Sequence, residues 1–374
     1  MRIIPHKFKT LADYADSERN NFYLLRLIAA ISVLFSHSYP LTAAGLEPLV
    51  KASNYLESLG GFAVQSFFIM SGFFITRSYL ERNNLFNFLV CRCLRIFPGM
   101  IVNILWCVFV VGLMVTTLPK LEYLTNPIVF QYIKNNVMLF MTYPLPGVFA
   151  NNPFSTIVNG SLWTLPIEFS LYLIVALFGV LGLLKRKHLA TALAILLFFC
   201  TPFLFRHIPT FADDASWAVM TPIYCFLLGS VAYTCRGYVL MQPKIAVILL
   251  SVLVVSCVLV SNSIMHRAIF FATFAYCIFL LAYLPWIKGH LLTRYGDFSY
   301  GIYIYAFPVQ QTLMYYFHFH HPVLLFASAL PITLLLSIAS WHWVEKPALS
   351  LKNKLPLLFN LRKRDPKLLA GGDV

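Results

Sequence analysis

Arg26, His37, Ser71, Arg92, Arg95 and Glu168 stand inside or at the edge of long apolar runs in this sequence. Arg26 and His37 fall in YLLRLIAAISVLFSHSYP, eleven residues apart. At about 100° per residue that is three turns plus roughly 20°, so a helix presents both on one face, about 16 Å apart along its axis. A charge inside a membrane span costs on the order of 3 kcal/mol. Two ionisable groups stacked on one face therefore indicate a polar path into the protein, with His37 as a candidate general base. Glu168, in SLWTLPIEF, is the one acid that falls deep in an apolar run. Counted along the helices it lies at a depth similar to His37, and a His37–Glu168 contact would satisfy both and raise the basicity of the imidazole. Ser71-Gly72 interrupts FFIMSGFF; the serine could donate to an oxyanion and the glycine permits close backbone approach. Arg92 and Arg95 share a helix face just before Pro98. Proline suits a first helical turn, and a helix N-terminus beside two guanidiniums is a good phosphate site. Singly, each has a plainer reading: a snorkelling arginine, an interhelical strut, a packing serine, positive charge at a membrane face. The pairing of Arg26 with His37 favours chemistry.

The elements that must position these groups are membrane helices. The chain has 374 residues, 59% hydrophobic and 11% charged, with a mean hydropathy of +0.75; a soluble domain carries about 25% charge. Apolar runs long enough to span occur at roughly 22–42, 59–79, 98–118, 161–184, 189–205, 217–235, 244–262, 267–286, 298–317 and 323–343. The expected fold is thus an all-α integral membrane protein, a bundle of about ten transmembrane helices. With the N-terminus inside, 22 Lys and Arg residues fall on the inner side and 5 on the outer, which places both termini in the cytoplasm. The first run reads as an uncleaved span. Residues 1–347 form one transmembrane domain, and 348–374 a basic cytoplasmic tail lying on anionic lipid. The outer segment 119–160 is too short for a domain but large enough to cap a site, and Val129–Met141 within it reads as interfacial or re-entrant. The net charge of +14 is spread over loops between apolar runs, which is topology and not a nucleic-acid footprint. No cysteine lies in an outer loop, so no disulfide framework is expected. Neither Cys91-x-Cys93 nor the cluster His318, His320, His321 has the partners a metal site needs, and the sequon Asn159-Gly-Ser161 abuts a span.

In order along the chain, LLRLIAAISVLFSH, LGGFAVQSFFIMSGFF, RCLRIFP, SLWTLPIEF, FSYGIYIYAFP and WVEKP resemble the membrane acyltransferase family 3, whose members acylate sugars of bacterial cell-surface polysaccharides. The resemblance runs from residue 20 to residue 347. It implies O-acyl transfer, usually of acetyl, from cytoplasmic acetyl-CoA to a sugar hydroxyl, with Arg26 and His37 essential and Arg92 and Arg95 as a second arginine motif. Two positions depart from the family pattern. Tyr23 stands where many members have an acid, removing a partner for Arg26, and Ala306 stands where many have a second histidine.

The reading is a sugar O-acetyltransferase of the bacterial inner membrane. Arg92 and Arg95, with Arg26, would hold the phosphates of acetyl-CoA; His37, oriented by Glu168, would be the base, and Ser71 would stabilise the oxyanion. An acyl-histidine or acyl-serine relay is the alternative to direct transfer. The acceptor is a lipid-linked or polymeric sugar, O-antigen of lipopolysaccharide first, with exopolysaccharide, Nod factor or a small glycosylated metabolite as alternatives. A proton-coupled transporter or flippase would also use intramembrane Arg, His and Glu, but it predicts related halves with broken helices, and no internal repeat is visible.

Overall fold

A computed structural model describes residues 9–15, 17, 19–52, 57–82, 84–186, 192, 196, 214–259 and 263–354. Among them the chain is helical and has no strand, only an isolated bridge between Thr10 and Leu240. The main helices are α1 (Phe22–Leu41), α2 (Leu59–Arg82), α3 (Leu85–Trp106), α4 (Pro127–Val137), α5 (Thr164–Val180), α6 (Asp214–Thr234), α7 (Pro243–Leu259), α8 (Ser263–Ala282), α9 (Ser299–Phe317) and α10 (Pro322–Ser340). A wide-turn segment, Cys107–Gly112, prolongs α3, and a similar one, Trp341–Glu345, prolongs α10. Five helical segments of the described chain are long and apolar enough to cross a membrane: Phe22–Leu41, Leu59–Glu81, Leu85–Val115, Gly160–Val180 and Pro322–Ser350. Apolar side chains on every face suit helices that close their own backbone hydrogen bonds in lipid.

Nine of the ten expected runs coincide with helices of the described residues, five of them among the segments long and apolar enough to cross a membrane. The run 189–205 falls almost wholly outside the described residues, as does most of the basic tail. The third span begins thirteen residues earlier than Pro98, at Leu85, where the Asn84 side chain caps the helix by accepting from the Asn87 N–H. Arg92 and Arg95 therefore project from the body of a helix, not from its N-terminus, and Pro98 sits in its interior. The expected helix-end phosphate site is absent there. Val129–Met141 corresponds to the short helix α4.

Helix α9 is buried along most of its length, between α1 and α10. Its Pro308 has no N–H for the carbonyl of Ile304, one turn back. Two buried asparagines supply the missing donors: Asn103 of α3 and Asn159 donate to Ile304 O at 3.1 and 2.9 Å. Asn159 also donates to Asn103 Oδ1 at 2.9 Å and accepts from the Ser161 N–H at 3.1 Å, so the sequon asparagine is a buried strut. The segment 119–160 is tied to the same helix, with Asn152 donating to Gln311 O at 2.9 Å and Gln311 donating to Phe154 O and Ile157 O at 2.7 and 2.9 Å.

Helices α2 and α6 meet backbone to backbone. A Cβ at Gly72 would lie 1.9 Å from the carbonyl oxygen of Phe226, and one at Gly229 would lie 2.0 Å from that of Ile69. Ser230 Oγ bridges the seam, 3.3 Å from Gly72 O and 3.1 Å from Phe226 O. Small residues at such contacts let membrane helices gain packing and polar contacts that lipid would otherwise prevent. Gly72→Ala should therefore destabilise the detergent-purified protein by about 3 kcal/mol, the upper range of overpacking because the obstacle is backbone; an unchanged thermal midpoint would contradict the seam.

Candidate active site

Helices α1, α2, α3, α5 and α9 enclose a cavity of about 140 Å³. Arg26, Ser71, Arg92, Arg95 and Glu168 all line it. Five of the six residues singled out in the sequence are thus brought together, from four helices. At one end stand the three arginines; at the other stand Val64 and Phe67 of α2, Thr164 of α5 and Tyr303 of α9.

Asp297 orders the arginine end. Its Oδ2 takes Arg26 Nη2 at 3.1 Å and Arg95 Nη2 at 2.9 Å. Its Oδ1 accepts from Ser299 Oγ at 2.6 Å at the start of α9. The carboxylate is aimed by Gly296, which holds φ +117° with its α-carbon against the Trp341 ring, a conformation that favours glycine. Burial alone would push this carboxyl up, but the two guanidiniums and the Ser299 hydrogen bonds outweigh it and hold the pKa at about 2. Glu345, 2% exposed, lies 3.7 Å from Arg95 Nη1 and accepts from Ser340 Oγ at 2.9 Å. Each arginine spends only part of its donor fork on these acids. Both are held rigidly and keep N–H groups for an anion. Arg92 lies over the rings of Phe88 and Tyr172, 5.9 Å from each centroid, within range of a cation–π interaction.

In the middle of the cavity Glu168 Oε1 accepts from Ser71 Oγ at 3.4 Å and from Tyr172 Oη. The expected contact with His37 is not formed. The reason is register. The turn Gly160–Trp163 that opens α5 packs beside Phe307, since a Cβ at Gly160 would lie 2.8 Å from that ring. His37 meets the same ring nearly perpendicular to it, with centroids 5.2 Å apart. Glu168 is eight residues further down, roughly 12 Å away along the axis. His37 does not line the cavity, and its Nδ1 has no hydrogen-bond partner. At the far end Thr164 Oγ1 and Tyr303 Oη share a hydrogen bond of 2.8 Å, and the Phe67 ring stacks edgewise on Tyr303 at 5.9 Å.

Sequence reasoning missed Asp297, Glu345, Tyr172 and Tyr303. Asp297 sits in a loop, where no periodicity marks it; the available signal was an Asp two residues before a Ser that opens a helix. Glu345 lies within WVEKP, where an acid beside a lysine at the end of a span reads as ordinary surface charge. Tyr23 carries no charge at neutral pH, and Arg26 takes its acidic partner from the loop before α9. Among the described residues no three His, Cys, Asp or Glu side chains are grouped to hold a metal ion.

The acyltransferase domain pattern matches residues 19–342 of this chain. An O-acetyl transferase of Shigella phage Sf6 is 30% identical over 339 residues, covering 87% of this chain and 95% of that protein. Nodulation protein 10 of Rhizobium leguminosarum bv. viciae is 29% identical over 367 residues, covering 92% and 96%. No solved structure matches. A domain match over most of the chain, with relatives aligned nearly end to end, makes this protein a member of the membrane acyltransferase family 3.

Proposed function

We propose that the protein transfers an acetyl group from cytoplasmic acetyl-CoA to a sugar hydroxyl of a cell-surface polysaccharide, O-antigen being the first acceptor to test. The observation that carries this reading is the cavity, with Arg26, Arg92 and Arg95 at one end and its other end about one helical turn from the level of His37. The names of the two relatives, an O-acetyl transferase and a nodulation protein, fit it. The arginines bind the phosphates of the donor. Ser71 and Glu168, midway, offer polar contacts to its arm. The thioester is delivered to His37, about 16 Å along α1 from Arg26. His37 takes the proton of the sugar hydroxyl as its oxygen attacks the acyl carbon; the carbon–sulfur bond then breaks and the thiolate leaves. In this reading residues 1–347 are one catalytic domain of the bacterial inner membrane, with both termini cytoplasmic and the acceptor presented from outside.

The test is transfer of labelled acetyl from acetyl-CoA in membranes carrying the protein, with lipid-linked polysaccharide present. Label in the glycan is expected. A panel of O-antigen, exopolysaccharide and Nod-factor acceptors that all stay unlabelled, with the protein present and folded, would overturn the reading and favour transport.

A further inference from the structure

We propose that Tyr303, bonded to Thr164 and backed by Phe67, closes the far end of the donor cavity and acts as the filter that sets which acyl groups reach His37. This rests on the donor reading above and assigns the residues that select the acyl chain.

Three helices end the cavity on one layer. On α2, a Cβ at Gly60 would lie 2.8 Å from Ser36 of α1, so Gly60 stands level with the Ser36–His37 step. Val64, the lining residue of α2 nearest that step, is one turn inward, about 6 Å. On α9, Tyr303 lies one turn inward of Phe307, the ring that His37 touches. On α5, Thr164 lies one turn inward of Gly160, which packs on that same ring. All three walls stop one helical turn short of His37. A thioester arriving from the arginines must cross that turn.

What blocks it is small and neutral. Tyr303 is 7% exposed and Thr164 4%. Their hydroxyls share one hydrogen bond of 2.8 Å, and this single neutral bond holds the closure. Phe67 fixes the ring from the α2 side at 5.9 Å. In this proposal the tyrosine ring swings aside, and the gap it leaves passes Phe67 and Thr164, which line the same end of the cavity. An acetyl group brings one methyl through that gap; a butanoyl group brings two further methylenes against Phe67. Each methylene in such an apolar constriction discriminates by roughly 10- to 200-fold.

The experiment offers wild-type, Phe67→Ala and Tyr303→Phe membranes an equal mixture of differently labelled acetyl-CoA and butanoyl-CoA with one acceptor glycan. The butanoyl-to-acetyl product ratio is read within each sample, so the amount of folded enzyme does not enter it. The ratio should rise at least about tenfold in Phe67→Ala and by less in Tyr303→Phe, which keeps the ring and loses only the bond. An unchanged ratio in both variants, with acetyl transfer retained, overturns the filter and leaves the donor reading intact. No transfer of either acyl group by wild type overturns the donor reading and the filter with it.

Discussion

Replacing His37 with Gln is expected to lower acetyl transfer by about 10²- to 10⁴-fold, the range that a positioned general base contributes, with little change in thermal stability. His37 makes no hydrogen bond through Nδ1 and meets the Phe307 ring nearly perpendicular to it, so a glutamine of similar length breaks no bond in the resting protein. It cannot take a proton from a hydroxyl. A loss of stability would indicate that His37 is a packing residue, and the melting curve in detergent separates the two. The rate to measure is acetyl transfer per folded enzyme at saturating acetyl-CoA. A variant within about threefold of wild type would remove His37 from the chemistry.

The second large effect is expected at Asp297. Asp297→Asn keeps an oxygen for Ser299 but removes the charge between Arg26 and Arg95, leaving two guanidiniums facing each other. Breaking a fully buried pair costs about 3–5 kcal/mol; with Arg26 32% and Arg95 22% exposed, about 2–3 kcal/mol is expected after solvent screening. Because the carboxyl is held at about 2 in the folded protein, below its ordinary value near 3.9, the wild-type contribution is complete above about pH 4 and lost as pH falls through 2. Wild type and variant should therefore differ by a constant amount from pH 5 to 8 and converge toward pH 2. A difference that grows between pH 5 and 8 would assign the effect to another group. Loosened arginines should also raise the KM for acetyl-CoA by roughly tenfold, the loss of one charge-assisted contact.

The sequence made most of the long helices legible, and five residues of the cavity, for one reason. In a chain with only 14 acidic residues and 28 basic ones, a polar group inside an apolar run is costly enough to need a purpose. Helical spacing then tells which of them share a face. What spacing does not tell is register between helices. Counting from membrane edges puts Glu168 and His37 at one depth, but the turn that opens α5 lies at the level of Phe307, and the two are roughly 12 Å apart. Pro98 reads as a helix start, yet α3 runs through it from Leu85. Asp297 was illegible because a loop aspartate gains its meaning from partners roughly 200 and 270 residues earlier in the chain, and only the fold brings them within 3.1 Å.

The glycine seam between α2 and α6 bears on how this protein can vary over evolutionary time. At most packed contacts a larger side chain on one helix is accommodated by a smaller one on its neighbour, and the two positions drift as a pair. Gly72 and Gly229 each face a peptide carbonyl of the other helix, and a carbonyl has no smaller replacement. No compensating substitution exists, so both positions are closed to drift while those around them stay open. The same helix carries Phe67 and Ser71 toward the cavity. The neighbouring face that holds Gly72 is therefore the fixed reference against which lineages can retune those two residues to new acyl groups without moving the wall that bears them.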